Sequence, residues 1–170
     1  MIRLNPKYAE VHTCRGHSRN KSGLVTKAIE DFDEALRQNP RDADAFVNRG
    51  LAREAIEEWG GAIDDFSAAI AVTPKSADAL SNRARLRAQC DDAKFRDGAK
   101  AVADATLACE LTQWKNPHHL EVFGAAHAEA GDFAAAVRWQ TKALDDADYA
   151  KQHGAAAKRR LKAYRKRGEI

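Results

Sequence analysis

The sequence predicts an all-α fold made of short antiparallel helix pairs. Three observations carry that expectation. Alanine is abundant, β-branched runs are scarce, and only four prolines and ten glycines punctuate 170 residues, a composition that favours helix. Pro6, Pro40 and Pro74 recur every 34 residues, as do Gly16 and Gly50, with Ala84 next in that register. Ala28 and Ala62, Phe32 and Phe66, and Ala35 and Ala69 keep the same spacing. A fixed period of this length marks a repeat architecture in which each unit is a helix pair.

The elements follow in order. The first two pairs are expected over residues 8–20 with 24–37 and 43–56 with 59–72, where Ala28-Ile29-Glu30-Asp31-Phe32 aligns without gaps on Ala62-Ile63-Asp64-Asp65-Phe66. A third pair is expected over 77–90 and 97–112. From Ala62 to Ala101 is 39 residues, five more than the period, and the excess falls in Cys90–Gly98, read as a lengthened loop with Phe95 tucked inward. A fourth pair is expected over 117–130 and 133–146, with Ala-Glu-Ala-Gly-Asp-Phe (128–133) ending one helix and starting the next. Ala150, Ala157, Leu161 and Tyr164 then form one apolar helical stripe, predicting a last helix over 149–166. Gly154 weakens that helix by about 1 kcal/mol relative to alanine. A repeat array needs such a terminal cap with a wet outer face.

Composition and motifs exclude several classes. With 44% hydrophobic and 31% charged residues, the chain is too apolar for a disordered tail and too polar for a membrane bundle. No signal-peptide core follows Met1-Ile2-Arg3-Leu4, so a cytoplasmic location is expected. Cys14, Cys90 and Cys109 form no CxxC pair and are read as mostly buried, reduced thiols. His12 and His17, five apart, and the adjacent His118 and His119 do not share a helical face, so no metal is expected. His12 is read as a satisfied core histidine. No serine sits in a Gly-x-Ser-x-Gly turn, and Gly60-Gly61 lacks the Gly-Lys-Ser/Thr of a phosphate loop. No enzyme activity, cofactor or small-molecule substrate is expected. Asp31/Asp33/Glu34, Glu57/Glu58 and Asp64/Asp65 are read as solvated acids and first-turn charges. The net charge of +3 is unevenly spread: residues 151–170 carry +7 and the remainder −4.

The 34-residue helix–turn–helix period, with Ala-x3-Phe-x2-Ala and a closing proline, resembles the tetratricopeptide repeat (TPR) family over nearly the whole chain. Repeats are expected over 9–42, 43–76, 77–116 and 117–148, with 2–6 as the remnant of a preceding repeat and 149–167 as a capping helix of a single 1–170 domain. The resemblance implies a right-handed superhelical solenoid. The long third-repeat loop and Cys-Glu-Leu-Thr-Gln-Trp (109–114) are similar to a bacterial TPR subgroup. In repeat one the family's first-helix aromatic, leucine and tyrosine are replaced by His12, Arg15 and Arg19; repeat two has Phe46 but Arg49 and Arg53.

The resemblance also implies a function: a protein–protein interaction scaffold that binds a partner peptide or helix in its concave groove. Carried over by position, the groove lining is Glu10, Thr13, His17, Asn20 and Lys21 in repeat one, then Asp44, Val47, Leu51 and Glu54. Asp78, Ser81, Arg85 and Gln89 follow in repeat three, and His118, Glu121 and Glu129 in repeat four. Acids outnumber bases there, so a basic or polar partner is expected. The clamp that holds terminal carboxylates in chaperone-binding TPR domains is missing: its cationic positions hold Thr13 and Asp78. Two alternatives stand beside this reading. The basic patch Lys158, Arg159, Arg160, Lys162, Arg165, Lys166 and Arg167 could engage nucleic acid or an anionic membrane. The chain could also be the interaction segment of a larger multidomain protein. Self-association is compatible with either.

Overall fold

A computed structural model describes residues 6–168, with side chains from Tyr8 onward. Among these residues the secondary structure is helical: α1 (Pro6–Lys21), α2 (Val25–Gln38), α3 (Ala43–Ala55), α4 (Trp59–Val72), α5 (Ala77–Gln89), α6 (Gly98–Leu111), α7 (Pro117–Glu129), α8 (Phe133–Ala143) and α9 (Ala147–Gly168). The expected helices are all present. Helix α8 stops three residues early because Asp146 accepts the amide of Tyr149 at 2.8 Å and so starts α9 sooner. The reading of residues 2–6 as a repeat remnant lies almost wholly outside the described residues. The chain falls into two compact units, residues 1–79 and 80–170.

In the first unit α1 packs on α2, α2 on α3, and α3 on α4. Two contacts build each pair. Gly16 and Gly50 let the rings of Phe32 and Phe66 press against the facing helix; a Cβ on either glycine would sit 2.7 Å from the ring. Beside each ring lies a buried carboxylate. Asp31 (3% exposed) takes Nε and Nη2 of Arg15, the latter at 2.6 Å, and Arg19 Nη1 at 2.8 Å. Asp65 (2% exposed) takes Arg49 Nη2 at 2.6 Å and Arg53 Nη1 at 2.8 Å. The sequence reading of Asp31 and Asp65 as solvated acids is therefore corrected: they are the inward members of acidic runs whose neighbours Asp33 and Asp64 stay exposed. Burial alone would raise the Asp31 pKa, but hydrogen bonds and charge from Arg15, with Arg19 and His12, hold it below the ordinary carboxylate value. A depressed pKa stabilises the fold above the unfolded value of about 4 and stops doing so as pH falls through the folded one. His12 is buried as expected, accepting from Arg15 Nη2 at 3.2 Å.

The second unit starts with the same device. Asp104 (6% exposed) takes Arg83 Nη2 and Arg87 Nη1, each at 2.7 Å. The lengthened segment between these helices carries a short 3-10 turn over Ala93–Phe95. Phe95 is half-buried rather than tucked into the core, and Lys94 Nζ lies over its ring at 4.7 Å. Gly98 opens α6 where a Cβ would meet the Ala130 backbone at 2.6 Å. In the α7–α8 pair the corresponding positions hold Phe123, His127 and Trp139. Their rings meet at 4.6 and 5.1 Å, and Trp114 stacks on Trp139 at 5.0 Å. Helix α9 packs on α8 and α7, burying Tyr149, Ala157 and Tyr164. The inward stripe thus uses Tyr149 where Ala150 was expected, and Leu161 is only half-buried.

The carboxylate is the member of each triad that cannot be spared. Asp65→Ala removes the buried partner that Arg49 and Arg53 share, leaving Arg49 to the exposed Asp33 and Arg53 to Glu58 at 3.7 Å, and is expected to cost about 3 kcal/mol, read as a lowered urea midpoint. The glycines divide in sign. Gly50→Ala is expected to lower the melting temperature, since Phe66 must move. Gly154→Ala, which meets nothing within 4 Å, is expected to stabilise by about 1 kcal/mol through helix propensity.

Candidate functional site

The Arg–Asp clamp and the Gly–Phe contact commit one face of α1 to α2. The opposite face of α1 then stands beside the start of α3, and a cleft of about 530 Å³ opens there. Glu10, Thr13 and Cys14 line it from α1, and Asp42 and Asp44 from the start of α3. Asn39, Arg41 and Thr73 complete the wall. A neighbouring hollow of about 470 Å³ shares Thr13, Cys14 and Asp44 and adds His17, Ser18 and Asn48.

The polar groups of the cleft hold one another in place. Asp42 caps α3, accepting the Ala45 amide at 2.9 Å through one oxygen. Its other oxygen lies 3.2 Å from Thr13 Oγ1, which donates to it. Asn48 Nδ2 donates to the Asp44 carbonyl at 2.8 Å, which turns Asn48 Oδ1 toward His17 Nδ1 at 3.3 Å. In this contact Nδ1 donates to the amide oxygen. Glu10 and Asp44 are exposed and Asp42 is half-buried. With Arg41 as the one cation among the described lining residues, these residues present a negative surface rich in hydrogen-bond acceptors. Among the described residues Cys14 has no charge-assisted partner, and no group of three metal-ligating side chains exists.

Of the residues expected in the groove, Glu10, Thr13, His17 and Asp44 come together in these two hollows. Asn20, Val47, Leu51 and Glu54 are half-buried, and Lys21 and Asp78 are exposed, but none of them lines either hollow. In the second unit the chain itself engages its expected residues. Ser81 is buried and Arg85 half-buried. Gln89 hydrogen-bonds Tyr164. His118 packs edge-on against Tyr149 and His153 at 5.1 and 4.9 Å. Glu121 accepts from the Tyr149 hydroxyl and pairs with Arg160. Burial and that carboxylate push the Tyr149 pKa up to about 12. Glu129 pairs with Arg96 at 3.6 Å. The basic patch divides likewise. Lys158, Arg159, Lys162, Arg165, Lys166 and Arg167 are exposed, whereas Arg160 turns inward to Glu121 and Gln140.

Sequence reasoning missed Cys14, Ser18, Asn39, Arg41, Asp42 and Thr73. A signal existed for Asp42, an N-cap residue placed directly before α3; the rest follow only from which surfaces the packing leaves open. Of the three thiols Cys14 is exposed, while Cys90 and Cys109 are buried. Burial raises the Cys90 pKa and pushes Cys109 up to about 12. One thiol per chain is therefore expected to react quickly with a disulfide reagent at neutral pH. The other two are expected to react only on unfolding, and Cys14→Ser should remove the fast phase.

No protein-family model matches the chain, and no curated protein matches it. Solved structures do. The chain is similar to the first TPR of Spaghetti bound to an HSP90 peptide, SRMEEVD, at 19% identity and a TM-score of 0.69, over 77% of this chain and 99% of that one. It is similar to a thermophilic TPR protein of Thermus thermophilus at 19% identity and a TM-score of 0.72, over 94% and 82% of the two chains. It is also similar to MamA at 23% identity and a TM-score of 0.69, over 87% and 78%. These likenesses agree with the paired helices, the 34-residue spacing and the glycine–phenylalanine contacts: the fold of this chain is the tetratricopeptide-repeat fold.

Proposed function

We propose that this protein is an interaction scaffold whose α1–α3 cleft receives a basic or polar segment of a partner protein. The observation that carries the reading is the convergence of Glu10, Asp42 and Asp44 on an open hollow whose other polar groups are already oriented by Thr13, Asn48 and His17. A lysine- or arginine-bearing segment would exchange its water for carboxylates held in place, at little ordering cost to the cleft. The lining argues against an acidic tail such as the SRMEEVD peptide of the Spaghetti complex, because Asp42 and Asp44 would repel it. The open surface is small for a stable protein interface, so the partner is expected to bind as a short segment.

A second reading rests on α9. Lys158, Arg159, Lys162, Arg165 and Lys166 are exposed and have no ion-pair partner among the described residues. The large apolar side chains of α9 pack inward, and no described helix is long and apolar enough to cross a membrane. That leaves cations without an apolar insert, which suits phosphate backbones better than a bilayer.

Both readings meet one experiment. Proteins retained from the source lysate by the full chain are identified at low and high salt, and affinity for the retained partner is then titrated. Glu10→Lys with Asp44→Lys is expected to weaken a cleft partner by about tenfold or more and the partner to shield Cys14 from labelling. A retained partner that binds this variant unchanged and leaves Cys14 fully reactive would remove the cleft reading. Retention of nucleic acid alone, lost in a Lys158→Glu, Lys162→Glu, Arg165→Glu variant, would put α9 in its place.

A further inference from the structure

The first two helix pairs repeat with a register of 34 residues, so α3 shows what covers a first helix in this chain. Helix α2 lies on α3 through Leu36, which packs with Ala45 and Phe46, and through Asp33, which accepts Arg49 Nη1 at 2.6 Å. The same positions on α1 are Val11, His12 and Arg15; His12 is buried, whereas Val11 and Arg15 are uncovered. Val11 is 58% exposed where Ala45 is 0% exposed. The Arg15 side chain is 49% exposed where that of Arg49 is 15%. Arg15 uses Nε and Nη2 on Asp31 as Arg49 uses them on Asp65, but its Nη1 has no hydrogen-bond partner among the described residues. Tyr8, 53% exposed, extends the strip by one turn.

From this comparison we infer that the Tyr8–Val11–Arg15 face of α1 is a docking surface for an amphipathic helix of a partner protein that carries a carboxylate three residues ahead of a leucine or isoleucine. The carboxylate takes the open Nη1 of Arg15 and the aliphatic side chain covers Val11. Such a pair reproduces the Asp33–Leu36 contact of α2, which shows that this arginine can serve two carboxylates at once. Among its described residues a second copy offers no free helix of this kind. The corresponding face of α2 already lies on α3, α6 packs on α7 and α8 on α9, α4 has Ser67 at the position of Asp33, and the exposed cations of α9 would repel Arg15. The surface is distinct from the cleft, which uses Glu10, Thr13 and Cys14 of the same helix.

The test uses a helix-stapled peptide with the sequence of residues 23–39, fluorescently labelled, titrated into the full chain while amide shifts are followed. Saturable one-to-one binding is expected, with the shifts centred on Tyr8, Val11 and Arg15. An Asp33→Lys peptide and a Val11→Asp protein of unchanged urea midpoint are each expected to weaken it by about tenfold or more, the worth of a charge-assisted hydrogen bond or of a buried valine. Absence of saturable binding, shifts centred on α3 instead of α1, or equal binding by the Asp33→Lys peptide would overturn the inference. So would concentration-dependent dimerisation of the free chain that Val11→Asp abolishes, because the occupant would then be a second copy.

Discussion

A carboxylate buried between two helices and gripped by two arginines from the facing helix organises the first three helix pairs. The first helix would ordinarily hold its partner with large apolar side chains. Here Asp31, Asp65 and Asp104 each accept a pair of guanidiniums spaced one helical turn apart, at 2.6–2.8 Å in their shortest bonds. Such a triad is strong only while complete, since the cost of burying each charge is returned by the others. It is also directional in a way that a leucine contact is not. Two arginines one turn apart and a single aspartate admit one rotation of each helix about its axis.

That rotation sets every other surface. With the arginine side of α1 turned to α2, Glu10, Thr13, Cys14 and His17 must face away, toward the start of α3. The cleft is thus a consequence of the clamp. In the α7–α8 pair the clamp positions carry Phe123, His127 and Trp139, and an aromatic cluster with Trp114 does the same mechanical work. The exchange marks where the array changes character. Helix α9 docks beside this apolar pair, and its Tyr149 and Arg160 engage Glu121 of α7, an acid expected in the groove.

Much of the fold was legible from residues alone. The proline spacing, the glycines at 16 and 50 and the alanine–phenylalanine register place the helices within about three residues of where they lie, because helix packing demands a small residue opposite a ring at a fixed step. The arginines at 15, 19, 49 and 53 were visible as departures from an apolar pattern. Their meaning was not, because a buried aspartate and an exposed one look alike in sequence when both lie in a run such as Glu30-Asp31-Phe32-Asp33-Glu34. Position in the helix decides, and Asp31 shares its inward face with Ala28 and Ala35.

The candidate site was half legible. Position within the repeat gave Glu10, Thr13, His17 and Asp44, which do converge. It also gave Glu121 and Glu129, which the chain's own Arg160 and Arg96 engage. Sequence by itself determined the helical class, the repeat length and which residues are small or aromatic, since these follow from local propensity and periodicity. Tertiary structure alone decided which charges are buried, which acids remain open to a partner and which thiol is accessible. Those outcomes depend on what lies across from each side chain, and a residue's opposite number is a property of packing, not of its neighbours along the chain.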